Sequence, residues 1–508
     1  MKSENIPVII SAGQITWKSD EIKSAQDLLE EAANLAIKGA NSKSKVSKIQ
    51  QFIDRVVVVN ILGKKVEAPA ATLARKLGIE NVECCYTTVG GNTPQYLVNN
   101  YSKEIVEGKL SAVLITGAEA FASAKNYKKL KSQDKPHKVL DNLDKVDEGY
   151  VDKQDILIGD ERIGVSDIEA NAGLISPVHV YPLFESALAV KYGRNILEQR
   201  KYVSDLFAPF SKVASENKYS WFEKEYSSSE LSTINGDNRP IADPYLKLHC
   251  AFLGSDQGAA IILTSLAVAK ELNIEDSVVY VHSGANTTDI WNFSARPIFD
   301  ESEGIELAAT AALNAGKLSI DDINYIDLYS CFPSAVQLAI NALGLSTNDP
   351  RGFTVTGGLP YFGGPGNNYV THSIAAMTDK ILNNGGYGLI SGLGWYVTKH
   401  SYGIYSDKPP KDGFVLGDTS TEQLKIDSKE LKVIPATEVT PQTGVIVAAS
   451  PAYGPDSSVY TVPAIIDLED GTRTVLTCGE SDINAYKEVE LVGKKVALRS
   501  DPAKWYEI

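Results

Sequence analysis

The strongest constraint on this chain is that it contains one pattern of elements twice. In the first half, residues 28–37 show apolar positions at helical spacing. A β-branched run at 55–60 follows, then a helix ending Leu73-Ala74-Arg75-Lys76-Leu77-Gly78-Ile79. The second half repeats the order: a helix at 305–313, a strand at 325–328, and a helix ending Leu338-Ala339-Ile340-Asn341-Ala342-Leu343-Gly344-Leu345. A glycine loop comes next in each half, Gly90-Gly91-Asn92-Thr93-Pro94 and Gly363-Gly364-Pro365-Gly366-Asn367-Asn368. Each loop precedes a helix and a buried strand, Val113-Leu114-Ile115-Thr116-Gly117 and Gly388-Leu389-Ile390-Ser391-Gly392. Gly90 to Gly117 spans 27 positions and Gly364 to Gly392 spans 28. Matching order and spacing mark a duplicated half. Pseudo-twofold packing of the halves brings the two glycine loops to a shared centre.

Further short β-branched runs lie at 8–11, 259–264 and 278–282. With helical periodicity between them, the class is α/β with mostly buried strands. A chain of 508 residues, 43% hydrophobic and 22% charged, has ample material for a core. The net charge of −15 argues against nucleic acid and against anionic membrane surfaces as partners. No apolar run reaches membrane-spanning length and no secretory signal is expected. The five cysteines, Cys84, Cys85, Cys250, Cys331 and Cys478, form no C-x-x-C pair. No metal site or disulfide framework is expected, and a cytoplasmic location fits best.

The halves differ at one place. Some 140 residues without counterpart separate the strand at 113–116 from that at 259–264. This insertion, at about 122–255, opens with Lys125, Lys128, Lys129, Lys131, Lys135 and Lys138. Asp141, Asp144, Asp147, Glu148, Asp152 and Asp155 follow. It reads as a loop-rich lid or substrate wall. The stretch 406–413 reads as a linker, and 414–508 as a separate β-rich sandwich or barrel with a hairpin signal at Glu469-Asp470-Gly471. The division is therefore 1–275, 276–405 and 414–508.

Both glycine loops can start a helix, with Asn92 or Thr93 as cap and Pro94 in the first turn, and with Asn367 or Asn368 as the second cap. A helix start offers unpaired N–H groups and a positive dipole end to an oxyanion. The alternative is plain turn and cap chemistry.

These loops, with Ser176-Pro177-Val178-His179-Val180-Tyr181-Pro182, Asp256-Gln257-Gly258-Ala259-Ala260, Asp327-Leu328-Tyr329-Ser330-Cys331-Phe332, Gly357-Gly358-Leu359-Pro360 and Gly392-Leu393-Gly394, resemble the thiolase superfamily over about residues 5–405. With its extra C-terminal region the chain is most similar to thiolase-like proteins of type 1, often labelled acetyl-CoA acetyltransferases. The resemblance implies two βαβαβαββ halves in a five-layer αβαβα core with an inserted loop domain, and an OB-like C-terminal domain. It implies coenzyme A or an acyl-CoA as substrate or ligand, no tightly bound cofactor, and either a homodimer through core strands or a monomer.

The same resemblance exposes departures. The acyl-accepting cysteine position falls on Gly90, with Asn92 at the following serine; the activating histidine position falls on Gly364; the second cysteine position falls on Gly392, with Gly394 beyond it. The polarising loop reads Tyr329-Ser330-Cys331-Phe332. Glycine is neither nucleophile nor base, so ordinary condensation or thiolysis is not expected. Gly90, Asn92, Gly364, Gly392 and Gly394 stay as substrate-binding candidates, the backbone N–H groups near Gly90 and Gly392 holding a thioester oxygen.

Cys331, with Tyr329 and Ser330 beside it, is the candidate relocated nucleophile, and His372 the candidate base; the alternative is a buried small residue and a core histidine. His400 follows Gly392 by eight residues, about 26 Å if extended, and is set aside. His179 and His249 lie in the insertion. Of Cys84 and Cys85, neighbours on one strand, at most one can face the centre. The lysine cluster is a candidate contact for coenzyme A phosphates, or a solvated face. Cys478 stands alone in the last domain, which is expected to wall the acyl-CoA entrance. The two functional readings are an acyltransferase-type enzyme with non-standard residues and a non-catalytic acyl-CoA binding or scaffold protein.

Overall fold

Alternation of side chains along the first strands decides the layering. The computed structural model describes residues 4–44, 46–64, 66–132, 154–500 and 502–508. Strands β1 (Pro7–Thr16), β2 (Ile53–Val58), β3 (Glu83–Thr87) and β4 (Ala112–Ala120) are bounded by helices. Val8, Ile10, Val56, Val58 and Leu114 enter one core with the helix Ala25–Lys43. Their neighbours Ile9, Val57, Val113 and Ile115 enter another. A strand buried on both faces is apolar on successive residues, as residues 8–10, 56–58 and 113–115 are. Cys84 and Cys85 obey the same alternation and part into the two cores.

The insertion contributes β5 (Ile156–Ile158), β6 (Pro240–Ala242) and β7 (Tyr245–Leu246), after which β8 (Asp256–Ser265) closes the first half. The second half supplies β9 (Val279–Thr288), β10 (Tyr325–Asp327), β11 (Tyr387–Gly394) and β12 (Lys399–Ser406). In the first half the order is β1-β8-β4-β2, with β1 and β4 antiparallel to β8 and β2 parallel to β4. The second half runs β9-β12-β11-β10 with the same directions. The duplication thus extends to sheet topology. The halves join where Val8 and Ile9 pair with Tyr280 and Val279.

The helices Thr93–Val106 and Tyr369–Asn384 pack against strands of both halves and against each other, forming the middle layer. Ala25–Lys43 covers the first half from outside, and Glu303–Ala315 covers β9 and β12. This gives helix, sheet, helix, sheet, helix. Both glycine loops lead into middle-layer helices.

The described part of the insertion is not loop-rich. It is built on the helices Pro177–Lys191 and Ile196–Glu216. Pro177 occupies a first-turn position, and Asn195 with Glu198 forms a capping box. Their Leu183, Phe184, Phe207 and Phe210 join the main core. Lys135, Lys138 and the acidic run through Asp152 lie outside the described residues. Asp155 accepts from the backbone N–H groups of Ala70 and Ala71 at 2.8 and 2.9 Å, at the start of the helix Pro69–Lys76. β5 pairs with β3 and covers that edge of the sheet with the chain's own strand.

Beyond β12, β13 (Val415–Leu416) pairs with β9. The last region holds β14 (Val433–Ile434), β15 (Gln442–Ala449), β16 (Ala452–Tyr453), β17 (Val459–Thr461), β18 (Pro463–Leu468), β19 (Arg473–Thr477), β20 (Lys495–Ser500) and β21 (Ala503–Glu507). Six of these form a second sheet, β14-β19-β18-β15-β20-β21. It curls until Cys478, just past β19, bridges Trp505 of β21. β16 pairs with β6, and buried Arg200 reaches Glu488 at 2.7 Å and Asp243 at 3.4 Å, so this region docks on the insertion.

Candidate functional site

Four backbone segments converge at the first glycine loop. Gly90, Asn92, Gly392 and Gly394 are in close approach. A Cβ on Gly392 would stand 2.8 Å from Asn92 Cα, and one on Gly394 would stand 3.0 Å from Lys399 Cε and 3.2 Å from Gly90 Cα. A Cβ on Gly90 would stand 2.7 Å from both Asn92 Oδ1 and Lys399 Nζ. Side chains larger than hydrogen are excluded here unless Asn92 and Lys399 move. Tyr329 joins from the other side, its hydroxyl beside Gly91 and its N–H donating to Ser391 Oγ at 2.9 Å.

Lys399 reaches this point because the chain reverses sharply. The turn Trp395-Tyr396-Val397-Thr398 folds β12 back along β11, setting His400 opposite Leu393 and Lys399 opposite Gly394. Trp395 and Val397 both have φ 55°, a left-handed conformation costly for a β-branched residue. The surroundings hold it. Tyr181 Oη donates to Trp395 O at 2.8 Å. Buried Arg296 donates to Tyr396 O and Thr398 Oγ1, both at 2.9 Å. His400 therefore belongs to the central region, contrary to the extended-strand estimate, which took no account of the turn. Its Nε2 lies 2.8 Å from Asp289 Oδ2. Burial works against the Asp289 carboxylate, but the His400 hydrogen bond and charge hold its pKa below the ordinary value. Successive residues on a strand point oppositely, so Lys399 faces Gly90 while His400 faces Asp289.

Lys399 Nζ donates to Val89 O at 2.5 Å, and the residue is 7% exposed. Burial pulls its pKa down to about 8, opposed by the nearby Asp160 carboxylate. Asp160 itself is held low by its fork with Arg162. Asn92 donates through Nδ2 to Ser401 Oγ at 3.2 Å, while its buried Oδ1 has no partner.

A cleft of about 740 Å³ opens beside this group, lined by Thr88, Tyr96, Asp160, Thr288, Leu416 and Lys399 among others. That size suits a ligand of coenzyme dimensions. The far wall is the segment around β13, and no lining residue lies beyond Gln423. The six-stranded C-terminal sheet does not wall this cleft. Lys125, Lys128, Lys129 and Lys131, on the helix Phe121–Ser132, do not line it either.

The other sequence candidates lie apart from the cleft. Cys331 is buried, and burial pushes its thiol up to about 12, so it is protonated at neutral pH. Ser330 Oγ is buried without a partner. His372 Nδ1 lies 2.9 Å from Gln14 Oε1, and burial pulls its pKa down to about 3. Neither Cys331 nor His372 lines the cleft. Gly364 packs against the backbone of Phe252 and donates to Phe252 O at 2.9 Å. Gly90 N–H donates to Asn367 Oδ1 at 2.9 Å, so it is engaged within the protein rather than free for a thioester oxygen. His179 meets Tyr460 at 2.9 Å, and His249 meets Ser204 at 2.9 Å.

Comparison with known proteins decides the family. A solved structure, a monomeric SCP2-thiolase like protein type 1 from Mycobacterium smegmatis, is 27% identical, with full coverage of both chains and a TM-score of 0.83. The chain belongs to the thiolase superfamily. Sterol carrier protein 2 from Bos taurus is 31% identical over 157 residues, and an acetyl-CoA acetyltransferase from Methanocaldococcus jannaschii is 23% identical over 139 residues. Those matches cover 30% and 27% of this chain, and only 28% and 34% of the two relatives' own lengths. No family model matches. Among the described residues no helix is long and apolar enough to cross a membrane, and no cluster of three metal-ligating side chains occurs.

In this thiolase-superfamily chain, sequence reasoning missed Lys399 because Lys-His-Ser does not read as a buried strand. The duplication held the signal: β8 ends the first half, so a strand antiparallel to β11 was due after Gly394.

Proposed function

We propose that this chain binds a coenzyme A thioester in the cleft beside Gly90 and acts on its acyl part as an acyltransferase-type enzyme, without ordinary thiolase condensation. One observation carries the reading. The superfamily's central loop opens on a ligand-sized cleft, and its missing cysteine side chain is replaced in space by Lys399 Nζ and the unpartnered Asn92 Oδ1. A buried orphan acceptor is costly unless a ligand donor meets it. Coenzyme A or acyl-CoA is substrate or ligand on this reading, with no tightly bound cofactor.

A second reading, a non-catalytic acyl-CoA binding protein, is favoured by the absence of side chains at Gly90, Gly364 and Gly392. The test is to titrate acetyl-CoA and longer acyl-CoAs by calorimetry, then follow free thiol release and intact mass. Micromolar binding with thiol release supports the enzyme. Binding without release or adduct supports the second reading. No binding by any acyl-CoA sinks both.

On this reading the protein is cytoplasmic, and β5 on the β3 edge favours a monomer over a homodimer through core strands. The same reading keeps the division 1–275, 276–405 and 414–508, the last OB-like by the curl of its sheet.

A further inference from the structure

The slot at Gly90 holds an amine where the superfamily resemblance implies a thiol. We propose that Lys399 is a carbonyl-trapping nucleophile, whose Nζ forms an imine with the ketone of a 3-oxoacyl thioester bound in the cleft. This rests on the thioester-binding reading above and names the reactive group and substrate class for it.

Three independent observations support it. Lys399 Nζ borders the space left by the absent Gly90 side chain and also lines the cleft. Asn92 Oδ1 borders the same space, buried and without a hydrogen-bond donor. The turn that delivers Lys399 carries two left-handed residues, Trp395 and Val397, pinned by Tyr181 and Arg296. Strain persists where the surroundings over-determine it, and such places cluster at sites of chemistry. Its partly neutral state agrees: with a pKa of about 8, roughly a tenth of the amine is free at pH 7. The charged groups near it are Asp160 and Arg162 of the insertion.

The chemistry selects a ketone over the thioester carbon. Attack on the thioester would expel the thiol and leave an amide, which water does not reverse at neutral pH. Attack on the ketone forms the C–N bond and opens the C=O to an alkoxide. A proton passes from Nζ to that oxygen, giving a carbinolamine whose hydroxyl Asn92 Oδ1 is placed to accept from. Loss of one water breaks the C–O bond and leaves C=N. No electrons are gained or lost, the thioester is untouched, and water reverses the step.

The experiment uses the full chain. Binding of acetoacetyl-CoA and of ketone-free acetyl-CoA is measured first. Each complex is then treated with sodium cyanoborohydride, and adducts are read by intact mass and peptide mapping. The expected result is one reduced adduct per chain, on Lys399, from acetoacetyl-CoA only, falling at least tenfold in Lys399→Arg. Bound acetoacetyl-CoA with no adduct at Lys399, or with the adduct on another lysine, overturns the proposal while leaving thioester binding intact. Mapping the unsubstituted protein decides this even if Lys399→Arg fails to fold. If neither thioester binds, the functional reading falls by itself. The β-diketone 2,4-pentanedione then decides: an adduct on Lys399 upholds the amine, and none there overturns it.

Discussion

The two glycine loops began as copies, and their surroundings have made them opposites. In the first, Asn92 and Thr93 line a cleft, and the space beside Gly90 is bordered by an orphan acceptor and a lysine amine. In the second, every close approach is to the protein itself. Gly363 presses on Gln257, Gly364 on Phe252, and Gly366 on buried Glu119, whose carboxyl burial pushes up to about 7. Asn368 donates to Gly117 O at 2.6 Å. Asn367 then carries the link between loops by accepting from Gly90 N–H. A duplicated motif predicts a shared centre, but which copy keeps room for a ligand is decided by what packs around it.

The contrast breaks most visibly under an added methyl group. Gly363 has φ 110°, and its Cβ would overlap the Gln257 amide. Gly363→Ala is expected to lose about 3 kcal/mol in urea unfolding, from left-handed strain plus overpacking. At Gly90 the obstacles are the ends of two side chains. Gly90→Ala is expected to cost under about 1 kcal/mol yet to lower acetoacetyl-CoA trapping at least tenfold. Equal stability losses at the two positions would mean that the loops still do the same work.

The link between the loops gives the next effect. Asn367→Ala leaves the buried Gly90 N–H without its acceptor, and removes Asn367 Nδ2 from Asn60 O and Oδ1, at 3.0 and 3.1 Å. The expected loss is about 2 kcal/mol by urea unfolding. A value near zero would show that water replaces the link.

How far the sequence exposes this division follows from the same residues. The repeat is legible where strands buried on both faces are apolar on successive residues, as Val56–Val58 and Leu114–Ile115 are. The glycines at 90, 363, 364, 392 and 394 are legible as close approaches. The turn after Gly394 is not, because it uses Trp395 and Val397 at φ 55° where a glycine or asparagine would announce it. The buried polar run Lys399-His400-Ser401 hides β12, since each finds its partner far away in the chain: Val89, Asp289 and Asn92. The helical character of the insertion was available in the Asn195 and Glu198 spacing.

Lys399 offers a smaller effect of opposite sign. Its folded pKa is pulled from 10.5 to about 8, first of all by burial. Between those values the unfolded chain binds more protons, so stability from this group rises with pH. Below pH 8 the full cost of burying an ammonium applies. Lys399→Met removes that cost and loses the bond to Val89 O. It is expected to gain about 1–2 kcal/mol at pH 6–7, the gain shrinking as pH approaches 10, while trapping is abolished. A destabilised variant at pH 7 would assign Lys399 to structure rather than chemistry.

Cys331 sharpens the comparison from outside it. It follows β10, away from the cleft, with its thiol protonated and Tyr181 as its side-chain partner. Its contribution is that of a small apolar group in the main core. Cys331→Ala is expected to cost about 1 kcal/mol by urea unfolding, for the cavity it leaves, and to change acetoacetyl-CoA trapping less than twofold. Intact-mass kinetics on the two proteins side by side would measure the ratio. A tenfold drop with unchanged stability would return the chemistry to Cys331 in the second half.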